Sequence, residues 1–130
     1  MVFITGGNSQ GKLEFVKSAL GIKEEEIADG GICGFNEAFQ KQVLNKLHLL
    51  VGRMLSQGLD AQAEVIKGVE ENPNIIVICD ETGCGIVPIE ARDRILREQV
   101  GRLACNLAHK AQKVYRVSCG IPVLIKGEVK

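Results

Sequence analysis

The chain has 130 residues, 45% of them hydrophobic and 25% charged, and its 16 Lys plus Arg balance 16 Asp plus Glu. That length and composition suit one globular domain, residues 1–130, with a core of ordinary size. Zero net charge without a basic run argues against a nucleic-acid groove, and no apolar run reaches the length of a membrane span.

Met1-Val2-Phe3-Ile4-Thr5 is a short apolar run rich in β-formers, and it reads as a buried strand. It breaks into Gly6-Gly7-Asn8-Ser9-Gln10-Gly11-Lys12. A helical pattern follows, with Leu13, Phe15, Val16, Ala19 and Leu20 as its apolar positions and Gly21 as its stop. Strand, glycine-rich turn and helix in that order are the setting of a phosphate-binding loop. Glycines let successive backbone N–H groups point inward at phosphate oxygens, and the helix adds its positive end. The expected cradle is Gly6, Gly7, Asn8, Ser9, Gln10, Gly11, Lys12 and Leu13, with Lys12 reaching the outer phosphates of ATP or GTP. The alternative is a strand-to-helix turn kept for packing. Leu13 stands where the motif places Ser or Thr, whose hydroxyl ligates Mg²⁺.

Residues 22–27 form a charged connector, and Asp29-Gly30-Gly31 is a turn signal. A short strand at Glu26-Ile27-Ala28 would bring the Asp29 carboxylate toward the loop. Phe35, Phe39, Val43, Leu47, Leu50 and Met54 recur at helical spacing, widened by Leu44, Val51 and Leu55. They predict one long helix capped by Asn36 and ended by Gly58. His48 falls inside it with no carboxylate at i±3 or i±4, and reads as a packing residue. Asp60 caps the next helix, which runs to about Glu71 with Val65, Ile66 and Val69 inward.

Ile75-Ile76-Val77-Ile78-Cys79 is continuously apolar, as a central parallel strand buried on both faces should be. Asp80 and Glu81 follow at its carboxyl end, where ligands bind in open α/β sheets. A carboxylate pair there is a candidate Mg²⁺ site; the alternative is a helix or turn cap. Thr82-Gly83-Cys84-Gly85-Ile86-Val87-Pro88 is a loop. Residues 90–111 predict a long helix with Ile95, Val100, Leu103 and Leu107 inward. Residues 114–118 and 121–125 are two strands around Cys119-Gly120, a turn so short that the pair must be antiparallel.

The fold class expected is α/β, a P-loop NTPase-like three-layer domain with a mainly parallel sheet and an antiparallel C-terminal edge pair. The five cysteines form no Cys-x-x-Cys pair, which predicts buried free thiols in a reducing cytosol. The N-terminus shows no secretory pattern, so a cytoplasmic location is expected. Cys84, between two glycines, is the thiol to watch.

Two stretches carry a likeness to a known family. Thr5-Gly6-Gly7-Asn8-Ser9-Gln10-Gly11-Lys12-Leu13 resembles a Thr-Gly-Gly-x-x-Ser-Gly-Lys-Ser loop. Asp80-Glu81-Thr82-Gly83-Cys84-Gly85-Ile86-Val87-Pro88 resembles Asn-Glu-Val-Gly-x-Gly-Ile-Val-Pro. Together they are similar to the adenosylcobinamide kinase/adenosylcobinamide-phosphate guanylyltransferase family of cobalamin biosynthesis. Arg97-Glu98 with Gly101-Arg102, and Gly120-Ile121-Pro122 with Lys126, extend the likeness over residues 1–20 and about 75–127.

The resemblance implies ATP or GTP with Mg²⁺, a corrinoid (adenosylcobinamide) as phosphoryl acceptor, and a ring-like homotrimer. Lys12 and Glu81 would then be catalytic, with Asp80 or Glu81 holding the metal or taking the hydroxyl proton. The segment bearing the family's guanylylated histidine has no counterpart between Gly21 and Asn74, and the role does not pass to His48. Asp80 stands where the family has Asn, and Ala104-Cys105 replaces its Asn-Gln pair. A nucleotide-binding module without turnover is the alternative.

Overall fold

The first strand, β1 (Val2–Gly6), lies inside a sheet and has a parallel neighbour on each side. The structure is a computed structural model that describes residues 1–7, 10–81 and 91–127. After β1 come α1 (Lys12–Ala19), β2 (Ile27–Asp29), β3 (Val43–Asn45), α2 (Leu47–Ser56) and α3 (Ala61–Glu71). Then follow β4 (Ile76–Asp80), α4 (Ala91–Lys110), β5 (Lys113–Ser118) and β6 (Ile121–Lys126). Among the described residues, six strands form one sheet in the order β2-β3-β4-β1-β5-β6. All neighbours are parallel except β5 and β6, which pair antiparallel at the edge, as the short turn at Cys119-Gly120 requires. Both turn residues have positive φ, 52° and 76°, as a tight hairpin demands. Asn8, Ser9 and residues 82–90 lie outside the described residues, so part of the cradle and the Cys84 loop go without structural comment.

The strands separate two apolar layers by the two-residue period of β-structure. Ile4, Ile78 and Val117 face α1 and meet its Val16. Phe3, Leu44 and Val77 face the opposite way, among Leu47, Leu50 and Met54 of α2 and Leu103 and Leu107 of α4. Strands covered on both faces read as unbroken apolar runs, which is why β1 and β4 stand out in the sequence. Helix α3 begins where Asp60 accepts the Ala63 N–H at 3.2 Å.

The single long helix expected from residue 36 onward is not there. Its place is taken by a 3-10 turn (Glu37–Phe39), strand β3 and the shorter α2. Val43 and Leu44 are consecutive and both fully buried, one in each apolar layer. A helix face cannot bury adjacent residues on opposite sides; a strand does so by construction. Tertiary demand for a strand between β2 and β4 overrides the helical spacing of the apolar residues.

Helix α4 needs a smaller correction. Val100, Leu103 and Leu107 are buried as expected, but Ile95 is 56% exposed and Leu96 packs in its stead. Residues 96, 100, 103 and 107 form one continuous stripe, and Ile95 sits a third of a turn away from it.

The thiols divide two and two among the described residues. Cys33 and Cys79 are buried, whereas Cys105 and Cys119 are exposed, contrary to the expectation of burial throughout. Burial and the nearby Asp80 charge push the Cys79 thiol up to about 12, and burial raises Cys33 as well. Iodoacetamide at neutral pH should therefore alkylate Cys105 and Cys119 first. Cys33 and Cys79 should label only on unfolding. Peptide mass spectrometry reads the order, and rapid native labelling of Cys79 would contradict this core.

Candidate functional site

In a parallel sheet the place for a ligand is the carboxyl edge, where neighbouring chains leave in opposite directions. Here the chain leaves β1 toward β2 and leaves β4 toward β5. The last residues of these adjacent strands, Gly6 and Asp80, are register partners. The loop from Gly6 to α1 thus rises directly beside Asp80.

Two glycines of that loop have evident steric reasons. Gly6, at φ 151°, lies against β5 so closely that a Cβ would meet the Val117 carbonyl oxygen at 2.4 Å. Gly11, at φ 91°, is the cap from which α1 starts. The loop's far end is tied to the β5–β6 turn: Cys119 N–H donates to Gln10 Oε1 at 2.7 Å, and Gly120 N–H donates to the Gln10 carbonyl at 2.8 Å.

Lys12 opens α1 and is only 6% exposed. Its ammonium donates to the carbonyls of Gly6 and Gly7, at 3.3 and 2.6 Å, and forms an ion pair with Asp80 Oδ1 at 2.7 Å. The Lys12 ammonium is thus folded inward, onto the loop and the β4 carboxylate. Glu81 is turned the other way. Arg116 of β5 grips both its oxygens, Nε to Oε1 at 2.7 Å and Nη2 to Oε2 at 3.2 Å, across the end of β1.

His48 joins the site through space. By strand alternation the N–H groups of Ile76, Ile78 and Asp80 point toward β3, and Ile76 N–H does donate to the Gln42 carbonyl. Beyond Asn45, β3 has ended. Lys46, at φ 61°, turns the chain straight into α2, so the strand partner that Asp80 would meet next is gone. His48, in the first turn of α2, takes its place. Its Nδ1 accepts the Asp80 N–H at 3.3 Å, and its Nε2 lies 3.4 Å from Asp80 Oδ2. Burial lowers the His48 pKa and outweighs the pull of Asp80, so the imidazole is neutral. His48 is therefore not the carboxylate-free packing residue that local sequence suggests. The search at i±3 and i±4 missed a partner 32 residues away, because the contact is made through the sheet and not along a helix.

These residues enclose a cavity of about 320 Å³, lined by the described loop residues Gln10 to Leu13, by Asn45, Lys46, His48 and Leu49, and by the carboxylates of Glu14 and Asp80. That volume suits a small-molecule ligand. Asp29 does end a strand, but it accepts the Gly31 N–H at 2.8 Å and pairs with Lys46 at 3.6 Å, outside the cavity lining. A larger cavity of about 580 Å³ lies at the opposite end of the strands, between Phe35, Phe39 and α3. Its lining includes no residue of the glycine loop or of the start of α1.

Among the described residues, few oxygens at this site are available to Mg²⁺. Leu13 supplies no oxygen, and the Asp80 carboxylate is shared with Lys12 and His48. Among the described residues no group of three His, Cys, Asp or Glu side chains converges. Of the described residues, Asp80 would be the carboxylate to hold the ion, with phosphate oxygens and water as further ligands.

A three-layer α/β fold with a glycine loop and a buried lysine at the β1–β4 switch point defines a P-loop NTPase-like domain. The family model for cobinamide kinase / cobinamide phosphate guanyltransferase matches residues 35–125, more than half of the chain. The chain belongs to that family, which places it in cobalamin biosynthesis. The match takes in residues 35–74, a stretch where the motifs alone gave no likeness, and it begins after the glycine loop. No curated protein matches the chain. Among the described residues no helix is long and apolar enough to cross a membrane.

Proposed function

We propose that the chain binds the triphosphate of ATP or GTP over residues 6–13 and presents it to a corrinoid hydroxyl. The observation that carries this reading is the buried Lys12, set at the start of α1 between the loop carbonyls and Asp80. Its charge, the helix end and the loop amides act together on an anion. In the kinase half-reaction of the family, the acceptor oxygen bonds to the γ-phosphorus, the bridging bond to the nucleoside diphosphate breaks, and the hydroxyl proton leaves. Such transfer depends on positioning and charge neutralisation more than on covalent chemistry by the protein. Lys12 neutralises the outer phosphates, and Asp80 is the carboxylate placed to hold Mg²⁺ or take the proton. Glu81 fixes Arg116 at the rim of the site. Guanylyl transfer is not proposed, because no histidine segment of the family kind is present.

A second reading, binding without turnover, is favoured by Leu13, which leaves the metal short of a ligand. Calorimetric titration with ATP and GTP, with and without Mg²⁺, tests the shared premise. Binding in the micromolar range that changes little with Mg²⁺ is expected, and absent binding of either nucleotide overturns both readings. Turnover of adenosylcobinamide at roughly 1–100 s⁻¹, the range typical of kinases, would decide for the enzyme. No turnover with intact binding decides for the module.

A further inference from the structure

In this structure Lys12 has no donor left for a phosphate. An ammonium carries three N–H groups. Gly6, Gly7 and Asp80 take all three, in a setting almost closed to water. A polyphosphate entering the cavity must displace one of them, and it also meets the Asp80 carboxylate, which repels it. The loop carbonyls belong to the cradle itself. Asp80 is the partner whose departure both frees Lys12 and relieves the repulsion.

His48 is placed to receive it. Because Nδ1 accepts the Asp80 N–H, the ring proton of the neutral imidazole sits on Nε2, 3.4 Å from Oδ2. Lys12 holds one carboxylate oxygen and His48 faces the other. A carboxylate that loses the lysine keeps a hydrogen-bond donor at its other oxygen. Lys46, the other cation of the cavity wall, is paired with Asp29.

We propose that Asp80 is a latch that holds Lys12 off polyphosphate anions, and that His48 is the positioning residue that takes up Asp80 when the latch opens. This rests on the triphosphate site proposed above. It makes Asp80 a brake on anion binding.

The test is calorimetric titration of the full chain with inorganic tripolyphosphate in excess chelator, so that no metal bridges phosphate and carboxylate. Asp80→Asn should bind roughly tenfold more tightly than the unaltered protein, because one close like charge is gone. His48→Ala should weaken binding about three- to tenfold with Asp80 present and leave it unchanged in the Asp80→Asn background. His48→Gln, which keeps an N–H, should recover most of that loss. Thermal melts of each variant accompany the titrations; a merely structural histidine would lower affinity equally in both backgrounds and overturn its assigned role. Tight binding by the unaltered protein with equal or weaker binding by Asp80→Asn overturns the latch and leaves the triphosphate site standing. Binding by neither protein removes the triphosphate site, and the latch with it. Binding by Asp80→Asn alone is the strongest outcome in its favour.

Discussion

Replacing Lys12 with Ala should weaken triphosphate binding by roughly 10- to 150-fold. That range converts about 1.5–3 kcal/mol, the usual contribution of a hydrogen bond to a charged group, into an affinity. Lys12 is nearly enclosed, so its attraction to phosphate is poorly screened, while the ion pair with Asp80 that phosphate must break offsets part of that gain. Loss should be similar for ATP, GTP and inorganic tripolyphosphate, since the lysine touches no base. The fold should survive: Asp80 keeps His48, and the Gly6 carbonyl keeps the Glu81 N–H at 2.8 Å. Calorimetry beside a thermal melt checks both halves. An affinity for tripolyphosphate that does not change in Lys12→Ala would remove Lys12 from the site.

Leu44→Ala should destabilise the protein by about 2–5 kcal/mol, the range for deleting most of a fully buried leucine. Leu44 lies in β3 with Val43 on the opposite face, so it fills the layer beneath α2 while its neighbour fills the layer beneath α1. The cavity left behind cannot close easily, because the flanking strands and helix hold its walls apart. Ile95→Ala is the matched control. Ile95 is exposed on α4, and its truncation should change stability by no more than about 0.5 kcal/mol. Urea unfolding of the two variants, with slopes equal to that of the unaltered chain, reads the difference directly. A large effect at Ile95 and a small one at Leu44 would reverse the helix phase and remove β3 from the sheet.

Some of this architecture is local, and such features can be read from the chain alone. Ile75 to Cys79 is apolar without interruption, and only a strand covered on both faces makes use of five such residues in so short a run. Gly6 and Gly11 mark a backbone that must take positive φ before α1 begins. Cys119-Gly120 leaves room for nothing but a tight reversal between β5 and β6. From these the fold class, the glycine-rich strand-to-helix turn ahead of Lys12, and the place of Asp80 at the end of a central strand all follow. The family match, over residues 35–125, reaches beyond these stretches.

What only the tertiary structure decided lies between residues 36 and 55. Apolar spacing there matches a helix, yet the sheet needs a strand beside β4, and three residues suffice to make one. No local rule weighs that need, because it arises from β2 and β4, which come from either side in sequence. The site follows the same logic. Lys12, His48 and Asp80 are far apart along the chain, and only the parallel register of β1 with β4, and the early end of β3, bring them together. Glu81 and Asp80 are neighbours that sequence treats alike. Strand alternation sends one to Arg116 at the rim and the other to Lys12 in the loop. Residue type sets what each side chain is able to do, while the long-range pairing of strands sets which of them meet.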